Sequence, residues 1–313
     1  MLEAVNEVKE TKMRVVIDWS ATRLEAALID GTDAVLDRIG TDDGLKRAAG
    51  RHEAVLDEIL APWRRTHGSL HILAAGMVGG RSGWMEMGYV PAPASLADIA
   101  RAARHVALAN GDRLTLIPGL CDPAASPFPD VMRGEEAQLV GHGLDRDAVV
   151  VMPGNNGKWA RIGGGRIAGF RTFVTGELVA LLLAYSGLAG IAVHPEGRDW
   201  RAFARGLECA GAPDRHGLLT RLFTARTGWL AGQLAPAEIG DYLRGLLIGW
   251  EFIEARNAGL WLPGGTLDIV GDDDRVDDYR RAAEGLGLTA RVAPDDTALR
   301  GALAIGAESM ILA

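Results

Sequence analysis

The chain has 313 residues, 48% of them hydrophobic and 24% charged, the composition of an ordinary globular protein with length enough for two domains. With 33 basic against 41 acidic residues the formal net charge is −8, which argues against general binding to nucleic acid or to an anionic membrane, since both need a basic footprint. Cys121 and Cys209 stand apart from any CxxC or Cys/His cluster, so neither a zinc site nor a disulfide framework is expected, and a reducing cytoplasm is the simplest setting.

Met1 to Lys12 is polar and has no apolar core segment, so no signal peptide is expected there. Arg14 to Ile17, Arg23 to Ile29 and Ala34 to Ile39 are strand-like runs, and Asp30-Gly31 between the last two is a hairpin signal; the three predict an antiparallel meander. Apolar residues from Leu45 to Leu60 fall at helical spacing, and Pro62 is expected to close that helix. Leu70 to Ala75 reads as a buried strand running into Gly76. Ser95 to Ala107 reads as a helix with Ser95 as N-cap and Asp98 three residues on, and Leu114 to Ile117 as a further strand. The order βββαβαβ predicts a mixed sheet carrying helices. Four prolines between Pro118 and Asp130 mark the boundary. The first domain is then 12–117 and the second 118–297, with a helix at 298–313 able to return to the first.

The second half opens with a predicted helix from Met132 to Gly141. Strands follow at Val149 to Met152, Lys158 to Ile162 and Arg166 to Phe170, the last two joined by Gly163-Gly164-Gly165 as a hairpin. Helices are expected at Thr175 to Leu188, Asp199 to Ala210, Gly217 to Leu230 and Pro236 to Asn257. After them come a strand at Thr266 to Val270, a helix at Asp273 to Leu286 and a strand at Thr289 to Val292. The densest apolar run, Leu178 to Tyr185, falls well short of the roughly 20 residues that span a bilayer. The second half repeats the first in outline, without a fixed-period repeat.

Two turns combine a strand end with small and polar residues: Asp18-Trp19-Ser20-Ala21-Thr22-Arg23 and Pro153-Gly154-Asn155-Asn156-Gly157-Lys158-Trp159. Backbone amides in such turns can form a nest for phosphate, and an Asp at the start can hold magnesium through water. Two such loops facing each other across a cleft would grip a nucleoside triphosphate; each also reads as an ordinary turn. Asp130, Arg133, Glu135 and Glu136 gather just after the boundary, where they could supply a general base and an anion clamp or simply cap a helix. Gly76 to Trp84 is glycine-rich but lacks the lysine of a P-loop; Arg81 could pair with a carboxylate and Trp84 stack on an apolar face, or the loop could be plain surface. The histidines show no ligand or triad spacing, and Asp272-Asp273-Asp274 reads as helix capping rather than a metal cluster.

Pro129-Asp130-Val131-Met132-Arg133-Gly134-Glu135-Glu136, with Gln138, resembles the signature block of the 2-dehydro-3-deoxygalactonokinases. Gly76-Met77 through Gly83-Trp84 to Tyr89-Val90-Pro91, Pro153-Gly154 with Lys158-Trp159, Thr172-Phe173 with Thr175-Gly176-Glu177-Leu178, and Leu243 to Gly249 with Glu251 agree with that family in order and position. The resemblance implies an α/β fold of two ribonuclease-H-like domains, of the actin, sugar-kinase and heat-shock ATPase type, with mixed sheets around an interdomain cleft. It implies a cytoplasmic kinase that moves the γ-phosphoryl of ATP to the 6-hydroxyl of 2-dehydro-3-deoxy-D-galactonate in galactonate or galactose catabolism, with magnesium as cofactor and a homodimer compatible. Asp18 would orient the metal. Ser20, Ala21 and Thr22, with Gly154, Asn155, Asn156, Gly157 and Lys158, would hold the phosphates. Asp130 or Glu135 would accept the hydroxyl proton, and Arg81, Trp84, Arg133 and Glu136 would bind the sugar acid. The family's first loop has Gly-Thr where Ser20-Ala21 stands and Asn at Arg23, and its second has Thr-His-Ser where Asn155-Asn156-Gly157 stands. These departures touch the phosphate grip, so a non-catalytic sugar-acid sensor is an alternative, and a partner-dependent hydrolytic ATPase a third.

Overall fold

Alternating burial along Arg14–Trp19 (β1) sets the pleat of the first sheet, with Val15, Ile17 and Trp19 pointing into the core. The computed structural model describes residues 13–193, 195–214, 216–271 and 274–312; Met1 to Lys12, and Asp272 and Asp273 of the acidic triplet, lie outside the described residues. Along the chain β1 is followed by β2 (Leu24–Ile29), β3 (Val35–Thr41), α1 (His52–His67), β4 (His71–Ala75), β5 (Tyr89–Pro91), α2 (Leu96–Arg101), β6 (Arg104–Ala107), β7 (Arg113–Leu116), β8 (Gly119–Asp122), β9 (Asp130–Met132) and α3 (Glu135–His142). Then come β10 (Ala148–Met152), β11 (Gly157–Gly163), β12 (Arg166–Phe173), α4 (Thr175–Tyr185), α5 (Trp200–Gly211), α6 (Leu218–Leu222), α7 (Thr224–Leu230), α8 (Ile239–Asn257), β13 (Thr266–Ile269), α9 (Arg275–Gly285), β14 (Thr289–Val292) and α10 (Thr297–Leu312).

The chain divides into two compact units. One takes the residues up to Cys121, Val131–Gly143 and those from Asp296 onward; the other takes Asp122–Asp130 and Leu144–Asp295. The first is built on a sheet of order β3-β2-β1-β4-β7-β6, the second on one of order β12-β11-β10-β13-β14. In each, the first three strands form an antiparallel meander and the next two pair in parallel, as β1-β4-β7 and as β10-β13-β14. Each unit therefore has the ribonuclease-H-like topology, and the architectural duplication expected from the sequence is present.

Backbone-close helix packing depends on glycine in both units. In the first, a Cβ on Gly301 of α10 would fall 1.7 Å from the Ala137 carbonyl oxygen of α3, and one on Gly141 1.8 Å from that of Thr297. In the second, a Cβ on Gly206 of α5 would meet the Tyr242 carbonyl oxygen of α8 at 2.1 Å, and one on Gly245 that of Phe203 at 2.0 Å. Edge strand β12 has two outward amides stopped by carboxylates: Phe170 N–H donates to Asp122 Oδ2 at 3.1 Å and Thr172 N–H to Asp130 Oδ2 at 2.7 Å.

Several helices differ from their expected spans. The helix placed at 45–60 starts at His52 and runs through Pro62 to His67. Residues 44–46 instead brace the first loop: Leu45 N–H donates to Ser20 O and Lys46 N–H to Ala21 O, while Gly44 lies where a Cβ would meet Thr22 backbone at 2.2 Å. Burial of Leu60 and Trp63 carries α1 past the proline. The Ser95–Asp98 capping box forms as expected, but the helix stops at Arg101, because residues 104–107 pair antiparallel with β7 around Gly111 at φ +88°. Residues 130–132 are strand, and α3 begins only after Gly134, whose φ of +107° excludes it from the helix. The helix expected at 217–230 is broken at Phe223.

Candidate active site

In the first unit, two glycine-dependent contacts bring separate segments to the end of β1. Asp18 lies one residue from that end, and a Cβ on Gly76, at the end of β4, would stand 3.1 Å from its Oδ1. Gly134 rests in turn on Gly76: its own Cβ would be 3.3 Å from the Gly76 Cα. Gly134 opens α3, where Glu135 accepts from Arg133 N–H at 3.0 Å and Glu136 from Gly134 N–H at 2.7 Å. The Glu135 carboxylate at the helix N-terminus complements its dipole.

Glu136 is fully buried. Burial, with Glu135 nearby, pushes its carboxyl up to about 8, against a smaller lowering by its backbone bonds and by Arg133; its Oε1 has no hydrogen-bond partner. Arg133 donates from Nη2 to the Met87 carbonyl at 2.8 Å and lies 4.4 Å from the Tyr89 ring centroid, while its Nε and Nη1 are buried without partners. Nη1 occupies the space beside Gly79, where a Cβ would approach it to 3.0 Å. Buried donors of this kind take their acceptors from a bound ligand, from water or from rearrangement.

In the first loop, where a phosphate nest is expected, the amides of Ser20, Thr22 and Arg23 are engaged within the turn. Ser20 N–H donates to the Arg23 carbonyl at 2.9 Å, and the Ser20 hydroxyl accepts from Arg23 N–H at 3.0 Å and from Thr22 N–H at 3.4 Å. The hydroxyl that stands where the family has glycine thus closes the turn on itself, and the amides of Ser20 and Thr22 are spent inside it. Ala21 lies in the same turn, its carbonyl taken by Lys46. Trp84, expected to stack on a ligand, packs edge-on against Trp19 at 6.2 Å and parallel to His52 at 6.0 Å. Arg81 is exposed on the turn after Gly80. Both oxygens of Asp130 are held by Thr172, Oδ2 by its amide and Oδ1 by its hydroxyl at 2.7 Å, in the second unit.

In the second unit, Gly154, Asn155 and Asn156 form the turn between β10 and β11, and Gly157 opens β11. Lys158, expected to add positive charge to a phosphate site, is buried and donates from Nζ to the Asn156 carbonyl at 2.7 Å. The turn lies against the start of α4: Glu177 N–H donates to Asn155 O at 3.0 Å, and a Cβ on Gly176 would strike the Gly154 carbonyl at 2.4 Å. No side chain caps that helix. Beside it opens a cavity of about 210 Å³, which the sequence reading missed. Gly154, Asn155, Thr175 and Gly176 form one side, Arg198, Arg244 and Arg275 bring positive charge, and Val179, Leu183 and Ile248 make an apolar wall. Arg198 pairs with buried Asp278 at 3.2 Å and Arg244 with buried Asp241 at 3.0 Å. A helix N-terminus without a side-chain cap, with arginines beside an apolar wall, can hold a phosphorylated ligand with an apolar part. Arginines scattered over 77 positions leave no motif; the available signal was Asp241 and Asp278 at helical positions facing the core.

Among the described residues no group of three or more His, Cys, Asp or Glu could hold a metal ion, and no helix is long and apolar enough to cross a membrane.

Residues 18–305 match the family model described as 2-keto-3-deoxy-galactonokinase. The chain is 33% identical over 295 residues to the 2-dehydro-3-deoxygalactonokinase of Escherichia coli (strain K12), covering 94% of this chain and 97% of that one. It is also 33% identical over 309 residues to a probable 2-dehydro-3-deoxygalactonokinase of Rhizobium meliloti (strain 1021), covering 94% and 96%. A crystal structure of a proposed 2-dehydro-3-deoxygalactonokinase from Sinorhizobium meliloti superposes with a TM-score of 0.83 at 31% identity, over 95% of this chain and 99% of that one. The activator of the 2-hydroxyisocaproyl-CoA dehydratase from Clostridium difficile, with bound ADPNP, shares the fold at a TM-score of 0.50 and 10% identity, over 96% and 97%.

Proposed function

Because the chain belongs to the 2-keto-3-deoxy-galactonokinase family, we propose that it transfers the γ-phosphoryl group of ATP to the 6-hydroxyl of 2-dehydro-3-deoxy-D-galactonate. It is a sugar-acid kinase, a phosphotransferase with an alcohol as acceptor. The observation that carries the reading is the match along nearly the whole chain, from Asp18 to residue 305. The charged cavity beside the 154–157 turn supports it, as a nucleotide site whose phosphates meet the start of α4 and whose base meets Val179 and Ile248.

Phosphoryl transfer asks the protein to position the alcohol, neutralise the phosphate oxygens and keep water out. Arg133 is assigned to the sugar-acid carboxylate, because Nε and Nη1 are donors without acceptors and a guanidinium suits a carboxylate. Glu135 is assigned as the base. It is half-buried at the start of α3 beside Gly134, which rests on Gly76 under Asp18. Magnesium bound by nucleotide phosphates needs only one or two protein carboxylates, and Asp18, beside Gly76, would be the residue to hold it. When bound, that ion would neutralise charge on the β- and γ-phosphates.

The test is ADP release with and without 2-dehydro-3-deoxygalactonate. Release that depends on the sugar acid supports the reading; substrate-independent release would make the protein an ATPase, and sugar-acid binding without turnover would make it a sensor. Asp18→Ala is expected to abolish turnover and leave sugar-acid binding unchanged. Glu135→Gln is expected to lower kcat by about a hundredfold or more with KM for the sugar acid little changed, and an effect confined to Asp130→Asn would move the base there.

A further inference from the structure

Glu251 is fully buried in α8, on a helix whose other inward residues are mostly apolar. Three donors converge on it from three elements. Trp159 of β11 donates from its indole N–H to Oε1 at 2.6 Å, Tyr279 of α9 from its hydroxyl to Oε2 at 2.6 Å, and the Thr175 hydroxyl at the start of α4 makes the third bond. An indole N–H can only donate, so the carboxylate form satisfies all three partners. Burial raises the carboxyl's pKa, and the three donors offset only part of that rise.

Those three elements frame the second turn. Trp159 follows Lys158, whose ammonium closes on Asn156 O. Thr175 precedes Gly176, which lies against the Gly154 carbonyl, and the Tyr279 hydroxyl is 3.7 Å from the place a Gly157 Cβ would take. Thr175 and Tyr279 also line the 210 Å³ cavity. We infer that Glu251 is a positioning residue for nucleotide binding, fixing the 154–157 turn and the start of α4 from beneath through Trp159, Thr175 and Tyr279. Its carboxylate accepts the hydroxyl hydrogen bonds of Thr175 and Tyr279, so both hydroxyl oxygens present only lone pairs to the cavity. The cavity rim then offers arginine donors for phosphate and hydroxyl acceptors for a ligand O–H or N–H.

The inference rests on reading this cavity as the nucleotide site. Its test is titration calorimetry with β,γ-imido ATP and magnesium, together with separate KM values for ATP and the sugar acid. Glu251→Gln keeps the volume but turns one acceptor into a donor facing Tyr279. The expected result is a folded variant with about tenfold weaker binding of the analogue, a matching rise in KM for ATP and an unchanged KM for the sugar acid. Tyr279→Phe removes one donor, keeps the packing, and is expected to show a smaller loss of the same sign; it decides the matter if Glu251→Gln does not fold. Unchanged analogue binding in a folded variant, or equal loss for both substrates, would overturn the inference. A wild-type protein that binds the analogue but phosphorylates no sugar acid would remove the proposed reaction and leave this inference standing.

Discussion

Gly76 and Asp18 are matched to each other: the glycine holds φ at +83°, and a Cβ on it would come within 3.1 Å of Asp18 Oδ1. Two requirements therefore meet at one position, a left-handed backbone and an empty space beside a carboxylate. Gly76→Ala is expected to cost about 1–2 kcal/mol of stability. By displacing Asp18 it should also lower kcat about tenfold in protein that remains folded at the assay temperature. Melting curves and steady-state rates check the two effects separately, and an unchanged kcat would remove Asp18 from the catalytic machinery.

Glu136 makes stability depend on pH in an unusual direction. Its carboxyl is pushed from an ordinary 4.5 up to about 8 in the folded state, so between those values the folded protein holds a proton that the unfolded chain has released. The contribution is present in full below about 4.5 and is lost as pH rises toward 8. The loss is a few kcal/mol, on the order of 1.4 kcal/mol for each pH unit crossed. Glu136→Gln keeps a neutral side chain at every pH. Urea unfolding at pH 5.5 and at about pH 8 should therefore show a marked fall for the natural protein and a much smaller one for the variant. Equal falls would place the titrating group elsewhere.

Much of the architecture was legible because it is local. The Asp30-Gly31 hairpin, the glycine hairpin between β11 and β12, and the Ser95–Asp98 box each encode their geometry in adjacent residues. The errors arose where distant partners decide. Residues 104–107 have helical spacing, yet β7 recruits them as a strand; Asn110-Gly111 carried the hairpin signal that the helix reading passed over. Residues 45–50 also have helical spacing, but the amides of Leu45 and Lys46 serve Ser20 and Ala21. In the candidate site, the block around Arg133 was legible as a cluster. The closed state of the Ser20 turn and the arginines of the second-unit cavity were not, since each depends on side-chain contacts fixed only by the fold.

Gly301 and Gly141 let α10 and α3 touch backbone to backbone, and the distances leave no room for even a methyl group. Gly301→Ala must push the helices apart by more than an ångström, losing dispersion contacts along both. A loss of about 3 kcal/mol or more is expected, at the upper end for overpacking. By contrast Gly285→Ala, at a helix end with open space around the new Cβ, should be neutral or slightly stabilising. Denaturant midpoints of the two variants, measured side by side, separate crowding from the helix-propensity effect that both substitutions share.

The Ser20 hydroxyl holds the amides of Thr22 and Arg23 at 3.4 and 3.0 Å, which spends on the turn donors that a phosphate could use. Ser20→Gly removes that acceptor and also lets the backbone approach an anion more closely, while Leu45 N–H to Ser20 O and Ser20 N–H to Arg23 O keep the turn in place. One amide redirected to phosphate contributes about 1 kcal/mol, so KM for ATP is expected to fall about fivefold with KM for the sugar acid unchanged. Ser20→Ala separates the two causes: it frees the same amides but retains the Cβ, so an improvement seen only with glycine would assign the effect to close backbone approach. If neither variant binds ATP more tightly, the first turn does not contact phosphate, and the nucleotide's phosphates must be held without it.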